Sequence, residues 1–275
     1  MTNLRIAFIG AGNMATSIIG GLISKGLSPT SIIASDPYPQ SLSNLSSTLS
    51  VQTTSSNDEA IRNADVVVLA VKPQVMKPVL EALSPTAQTS KTVFISIAAG
   101  VEINSINKWL GGNRAIVRCM PNTPALVQTG ATALFANSLV SNEQRENANQ
   151  ILRAVGIALW VDKESDLDAV TAVSGSGPAY FFMVMEAMQA AGEKLGLSPD
   201  ISRQLTLQTA LGAAQMAISS DVDAAQLRRR VTSPNGTTFE AIKVFEDGKL
   251  PELFLQAMNA CRDRSISLAK EMDSN

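Results

Sequence analysis

Ile6-Ala7-Phe8-Ile9-Gly10-Ala11-Gly12-Asn13-Met14-Ala15 is the stretch on which the fold turns. An apolar run leads into G-x-G-x-x-A, and the segment from Met14 to Lys25 that follows has the spacing of a helix. Between a strand and a helix the pattern has a mechanical meaning. Gly10 permits a tight turn, Gly12 lets a pyrophosphate approach the backbone, and small Ala15 lets the helix pack close to the strand. Phosphates would sit at the helix N-terminus, where free N–H groups and the macrodipole favour negative charge. A plain tight turn is the alternative, and the flanking elements favour dinucleotide binding over it.

Outward from that turn the chain alternates. Gly26 is a natural helix stop, and Ser31 to Ala34 reads as a second strand ending at Ser35-Asp36-Pro37. Asp36 follows the glycine pattern by about twenty residues, where a dinucleotide fold places an acid on the ribose 2′-OH of NAD. It reads equally well as a turn-forming Asp before proline. Gln40 to Leu49 is a modest amphipathic helix, Val51 to Thr54 a short strand, and Asn57 is placed to cap a helix through Arg62. Val66-Val67-Val68-Leu69-Ala70-Val71 suits a strand buried on both faces of a parallel sheet. Lys72-Pro73 ends it at the carboxyl edge, the edge at which open α/β sheets bind ligands.

Val75 to Leu83 predicts a helix, Thr92 to Ile97 a buried strand ending in Ala98-Ala99-Gly100, and Ile103 to Leu110 a helix stopped by Gly111-Gly112. Ala115 to Cys119 is a strand running into Met120-Pro121-Asn122-Thr123-Pro124. Ala131 to Phe135 and Ile157 to Val161 extend the sheet, with a polar helix from Asn142 to Ala154 between them. This alternation predicts a doubly wound sheet.

From about Asp166 the strand signals stop. Ser174-Gly175-Ser176-Gly177-Pro178 is a break, with Pro178 placed to open the helix Ala179 to Leu195. That helix is apolar nearly all round, and the helix from Ile201 to Ile218 is similar, so both need cover on several sides. A second subunit would supply it; packing on each other alone is the alternative. Met-rich helices of this kind are core, and Arg228-Arg229-Arg230 suits a solvated helix C-terminus. Val231-Thr232-Ser233-Pro234-Asn235-Gly236-Thr237-Thr238 joins two helices with Pro, Gly and hydroxyl residues. It is a potential anion site, or an ordinary loop capped by Thr237 or Thr238.

Composition narrows the function. The 275 residues are 45% hydrophobic and 17% charged, with a formal net charge of −2. That balance gives no basic field for nucleic acid or for an anionic membrane, and no apolar stretch is long enough to span a bilayer. Cys119 and Cys261 form neither a disulfide framework nor a zinc spacing, which fits a reduced cytoplasmic compartment, and no metal site is expected. There are no histidines, which excludes imidazole acid–base chemistry within the chain.

Four stretches together resemble the pyrroline-5-carboxylate reductase family: Gly10 to Ala15, Val71-Lys72-Pro73, Ser174 through Tyr180, and Leu227 through Thr238. The last two are the more specific. The resemblance implies an N-terminal Rossmann domain over residues 1–164 and an all-helical dimerisation and substrate domain over residues 165–275. It further implies a homodimer, in some members assembled into a decamer, and reduction of 1-pyrroline-5-carboxylate to L-proline by NADPH or NADH. By the same resemblance Gly10, Ala11, Gly12, Asn13 and Met14 meet the cofactor phosphates. Ser35, Asp36 and Asn57 lie near its adenosine ribose, and Ala70, Val71, Lys72, Pro73, Ala98 and Ala99 near its nicotinamide half. Ser233, Gly236, Thr237 and Thr238 meet the substrate, with Asn122 and Glu164 as weaker candidates. Asn235 stands where many members carry glycine.

The chemistry suits a chain without histidine. A protonated cyclic imine is already electrophilic, so the step needs orientation and charge placement more than a tuned base. Thr238 is the candidate catalytic residue, hydrogen-bonding the ring nitrogen, and Lys72 competes with it as the acid. Asp36 favours NADH by repelling a 2′-phosphate, while Ser35 and Asn57 offer hydrogen bonds to one, so the nucleotide preference stays open. A hydroxyacid or other imine reductase on the same plan, and a non-catalytic dinucleotide sensor, are the competing readings.

Overall fold

The computed structural model describes residues 4–273. Its first unit is built on an eight-stranded sheet in the order β3-β2-β1-β4-β5-β6-β7-β8. The strands are β1 (Ile6–Ile9), β2 (Ile32–Ser35), β3 (Gln52–Thr54), β4 (Val66–Leu69), β5 (Val93–Ser96), β6 (Ala115–Met120), β7 (Gly130–Ala136) and β8 (Gly156–Trp160). Neighbours pair in parallel except β6 with β7. The order of the first six strands is that of a doubly wound dinucleotide fold, so the expected fold class is the one observed. Chain direction across the sheet reverses between β1 and β4, which makes their carboxyl ends the natural ligand crevice.

Alternation along the strands decides which helix covers which face. Ile6 and Phe8 of β1, with Val66 and Val68 of β4, face one apolar layer. Helices α1 (Asn13–Ser24), α2 (Pro39–Leu49) and α6 (Asn142–Leu152) supply its other side through Ile18, Ile19, Leu22, Leu45, Ile151 and Leu152. Ala7, Ile9, Val67 and Leu69 face the opposite layer, covered by α3 (Asn57–Ile61), α4 (Pro73–Gln88) and α5 (Ile103–Trp109). The two-residue period of each strand thus delivers successive side chains to two separate cores.

Three local expectations change. Ser56, not Asn57, caps α3, its hydroxyl accepting the N–H of Glu59 at 3.2 Å. α4 runs five residues past the predicted Leu83, through Pro78 and Pro85. The carbonyls those prolines leave without an N–H partner belong to Gln74 and Glu81, both exposed, so water can satisfy them. The polar helix ends at Leu152 and tightens into a 3-10 turn, Arg153–Val155.

The chain divides into two compact units, one formed by residues 1–176 with 261–275 and the other by residues 177–260. This boundary falls later than the expected break at residue 164. The short helix α7 (Asp166–Val170) and the wide turn Thr171–Gly175 belong to the first unit, where Thr171 and Gly175 lie against each other and Gly175 lies against Met120. Residues from Cys261 onward also belong there: Ser265 donates to Asp168 at 2.7 Å, and Leu268 and Met272 approach Gly100.

The second unit is helical: α8 (Gly177–Lys194), α9 (Pro199–Ile218), α10 (Ala224–Arg230), α11 (Thr237–Asp247) and the first part of α12 (Leu250–Asp273). α8 and α9 meet where small Gly192 faces Ser202, whose hydroxyl donates to the Gln189 carbonyl at 2.7 Å. Much of their remaining apolar surface stays uncovered. Phe181, Phe182 and Met183 of α8 and Leu205, Leu211 and Met216 of α9 are all exposed in the single chain. Packing on each other alone does not cover these helices. Among the described residues no helix is long and apolar enough to cross a membrane.

Candidate active site

The glycine turn is closed by three strand ends. Gly10 sits at φ +103°, its N–H donates to the Ser35 carbonyl at 2.7 Å, and a Cβ there would lie 2.6 Å from the Ala70 carbonyl oxygen. Only glycine fits that backbone and that approach. Gly12 plays the other part. Its φ of −79° is open to any residue and nothing lies within 4 Å of where a Cβ would stand, so the space in front of it is free for a ligand. Gly12 caps α1 with no side-chain hydrogen bond and no acid in the first turn, which leaves the helix N–H groups to an incoming anion. Ala15 is buried against the strand, while Asn13 is exposed and Met14 half-buried.

At the end of β2 the two readings of Asp36 meet in one geometry. One carboxylate oxygen accepts the N–H of Tyr38 at 2.9 Å, as a turn-forming Asp does, and the other accepts the N–H of Ala11 at 2.9 Å. The acid therefore ties the second strand to the glycine turn. Ser35 is fully buried, and its hydroxyl donates to Asn57 Oδ1 at 2.6 Å. It supports the turn from beneath and offers no surface to a 2′-phosphate. Asn57 is half-buried beside it.

The other cofactor candidates line the same edge. Ala70 and Val71 are half-buried after β4, exposed Lys72 caps α4, and Pro73 opens that helix. After β5, Ala98 is buried and Ala99 exposed.

The two weaker substrate candidates turn out to be engaged within the fold. Asn122 Nδ2 donates to the Ser174 carbonyl at 3.0 Å and its oxygen accepts the N–H of Ala131 at 2.8 Å, so it ties the Ser174 break to the start of β7. Glu164 Oε1 accepts Arg118 Nη1 at 3.0 Å and the N–H of Ile103 at 2.8 Å. Arg118 is the residue that sequence reasoning passed over. A lone cation inside Ala115-Ile116-Val117-Arg118-Cys119 was its only signal. Burial pushes the neighbouring Cys119 thiol well up, against the pull of the Arg118 charge, so that thiol is inert.

In the second unit the hydroxyl-rich loop is folded by its own contacts. Thr232 Oγ1 donates to the Arg228 carbonyl at 2.6 Å, and Gly236 N–H to the Ser233 carbonyl at 3.0 Å. Asn235 stands at φ +57°, a region glycine favours and asparagine tolerates. Gly236 caps α11, again with no side-chain cap bond, and Thr237 and Thr238 open the helix exposed. Neither threonine is the cap.

Comparison with known proteins gives the family. Residues 164–268 match the model of pyrroline-5-carboxylate reductase dimerisation, and residues 5–100 that of the coenzyme F420-dependent NADP oxidoreductases. The chain is 56% identical to the pyrroline-5-carboxylate reductase of Pseudomonas aeruginosa over 272 residues, 99% of both chains. Among solved structures, the Coxiella burnetii pyrroline-5-carboxylate reductase superposes with a TM-score of 0.94 at 47% identity, covering 97% of this chain and 99% of that one. The Plasmodium falciparum pyrroline carboxylate reductase, solved with NADP bound, superposes at 0.86 and 30% identity, covering 98% and 99%. The chain belongs to the pyrroline-5-carboxylate reductase family, NAD(P)H-dependent enzymes of the last step of proline synthesis.

Proposed function

We propose that the chain reduces 1-pyrroline-5-carboxylate to proline with two glycine-capped helix ends as its anion holders. One is the start of α1 and the other the start of α11. The observation that carries this reading is their common form: each begins on a glycine whose side cannot close the helix, leaving N–H groups for a ligand. Gly10 through Met14 take the dinucleotide pyrophosphate, and Asp36, already fixed by Ala11 and Tyr38, takes the adenosine ribose. Ala70 to Pro73 and Ala98-Ala99 face its nicotinamide half. The bound NADPH or NADH supplies the hydride.

The chain's own work is placement. Ser233, Gly236 and Thr237 hold the substrate carboxylate at the α11 terminus, and exposed Thr238 hydrogen-bonds the ring nitrogen, keeping the imine protonated and therefore electrophilic. Asn122 and Glu164 act from behind, through the backbone groups they hold. The negative charge of Asp36 disfavours a 2′-phosphate, so NADH is used alongside NADPH and Asp36→Ser raises the preference for NADPH. The assembly is a homodimer through the second unit, with a decamer as the higher form, and its place is the cytoplasm, where both thiols stay reduced.

The test is oxidation of each nucleotide in the presence of pyrroline-5-carboxylate, with proline identified as product. Gly12→Ala should raise the KM for nucleotide and Thr238→Ala should lower kcat. Turnover with neither nucleotide would end the reading.

A further inference from the structure

Arg118 is a charge inside a buried strand, outside the set of cofactor and substrate candidates. β6 sets it opposite Ser96 of β5 on one side and Phe135 of β7 on the other. Its side chain is 7% exposed, and Nη1 donates to Glu164 Oε1 at 3.0 Å. The same oxygen accepts the N–H of Ile103, the first residue of α5, at 2.8 Å. Ser96 ends β5 and Ile103 begins α5, so these contacts fall at the two ends of one turn, residues 97–102. Within it Ala98 is buried, Ala99 is exposed and Gly100 sits at φ +74°.

Taking a guanidinium out of water is costly, and a buried ion pair is often no more stable than an apolar pair of the same volume. Ile116, which shares the Arg118 face of β6, is apolar and fully buried, so that face is otherwise lined by apolar groups. What the pair supplies that methionine does not is a fixed position for one carboxylate oxygen, and through it for the Ile103 backbone. We infer that Arg118 and Glu164 are positioning residues for the nucleotide: together they set the Ala98-Ala99 turn, with Glu164 acting through the Ile103 N–H and not by touching substrate. The inference rests on the assignment of that turn to the nicotinamide half.

The test measures NADPH binding by nicotinamide fluorescence in the absence of imine, beside the KM of each substrate. Glu164→Gln keeps an oxygen for the Ile103 N–H and removes the charge, and Arg118→Met removes the partner. Each single variant should weaken NADPH binding about ten-fold, and the double variant should be no worse than either alone. The KM for the imine should stay within about two-fold, and Arg118→Lys should recover part of the loss. A raised imine KM with NADPH binding unchanged would place Glu164 on the substrate and overturn the proposal. A lower melting midpoint with binding unchanged would make the pair merely structural and overturn it equally. Should Arg118→Met not fold, Glu164→Gln alone distinguishes the same outcomes. Because the binding measurement needs no turnover, its failure is distinct from failure of the imine assignment.

Discussion

Val66-Val67-Val68-Leu69 and Phe181-Phe182-Met183-Val184 are equally apolar, yet the first is wholly buried and the second exposed at every position. The difference is one of completeness. β4 is covered by helices from the same chain on both faces, whereas α8 packs chiefly on α9. Covering a side chain such as Phe182 stabilises by about 2 kcal/mol. A whole face of such side chains left uncovered implies a partner, and the dimerisation model matches the segment that contains them. The polar sites divide in the same way. The turn at Gly10 is gripped by the ends of β1, β2 and β4, while the Ser233–Thr238 loop is held by its own backbone. One unit closes its glycine turn from within, and the other carries its loop between helices that the chain alone leaves largely exposed.

The sharpest way to break the closed half is Gly10→Val. Its Cβ would fall 2.6 Å from the Ala70 carbonyl at a backbone angle valine does not adopt. The expected loss is about 4 kcal/mol or more, roughly 10 °C in melting midpoint, with nucleotide binding abolished. Gly12→Ala is the control. With nothing within 4 Å, stability should move by no more than about 0.5 kcal/mol, while the proposed pyrophosphate contact at Gly12 predicts a roughly 10–100-fold loss of NAD(P)H affinity. Equal destabilisation by both variants would show that the space before Gly12 is not a ligand space.

The open half breaks differently. Phe182→Asp should leave the first unit intact and shift the monomer–dimer constant by about a thousand-fold, because a two-fold interface loses the side chain twice. Sedimentation velocity at micromolar chain reads this directly. A dimer of undiminished stability would mean that α8 is covered by something other than a second copy.

Legibility followed the same division. The glycine turn and the buried β4 run were plain in the sequence because their signals are local: a fixed glycine spacing and an unbroken apolar run. Ser56 was also legible in principle, since Glu59 stands three residues on in capping-box spacing, but adjacent Asn57 is an equally good cap residue. The Arg118–Glu164 pair was not legible, as its members lie 46 residues apart. Neither was the return of residues 261–275 to the first unit, which depends on contacts with Asp168 and Gly100 and not on any pattern within α12. The loop before Thr238 reads as an ordinary turn on composition alone. Only its likeness to a family motif singled it out, because an exposed helix start with free N–H groups leaves no apolar trace.

Thr238 tests whether that loop does chemistry or only binds. Thr238→Ala should lower kcat about a hundred-fold, within the usual range for a group positioned on the proton of the reacting nitrogen. Thr238→Ser should restore most of it, because the hydroxyl is what matters. A change confined to the KM for imine would reduce the residue to a contact for the substrate.

The smallest effects discriminate most finely between the units. Ser56 caps α3 in the first and Ser198 caps α9 in the second, each hydroxyl accepting one backbone N–H, at 3.2 Å and 3.4 Å. Alanine at either position should cost about 1 kcal/mol, or roughly 2–4 °C. The two losses should nevertheless appear in different transitions. A unit that folds only on its partner melts at a midpoint that rises with chain concentration, while a self-sufficient unit does not. Ser198→Ala should therefore lower the concentration-dependent transition and Ser56→Ala the other, in calorimetry across a roughly hundred-fold range of protein concentration. A single transition moved equally by both would show that the sheet and the helices unfold as one, and that the sheet owes its stability to the partner as much as the helices do.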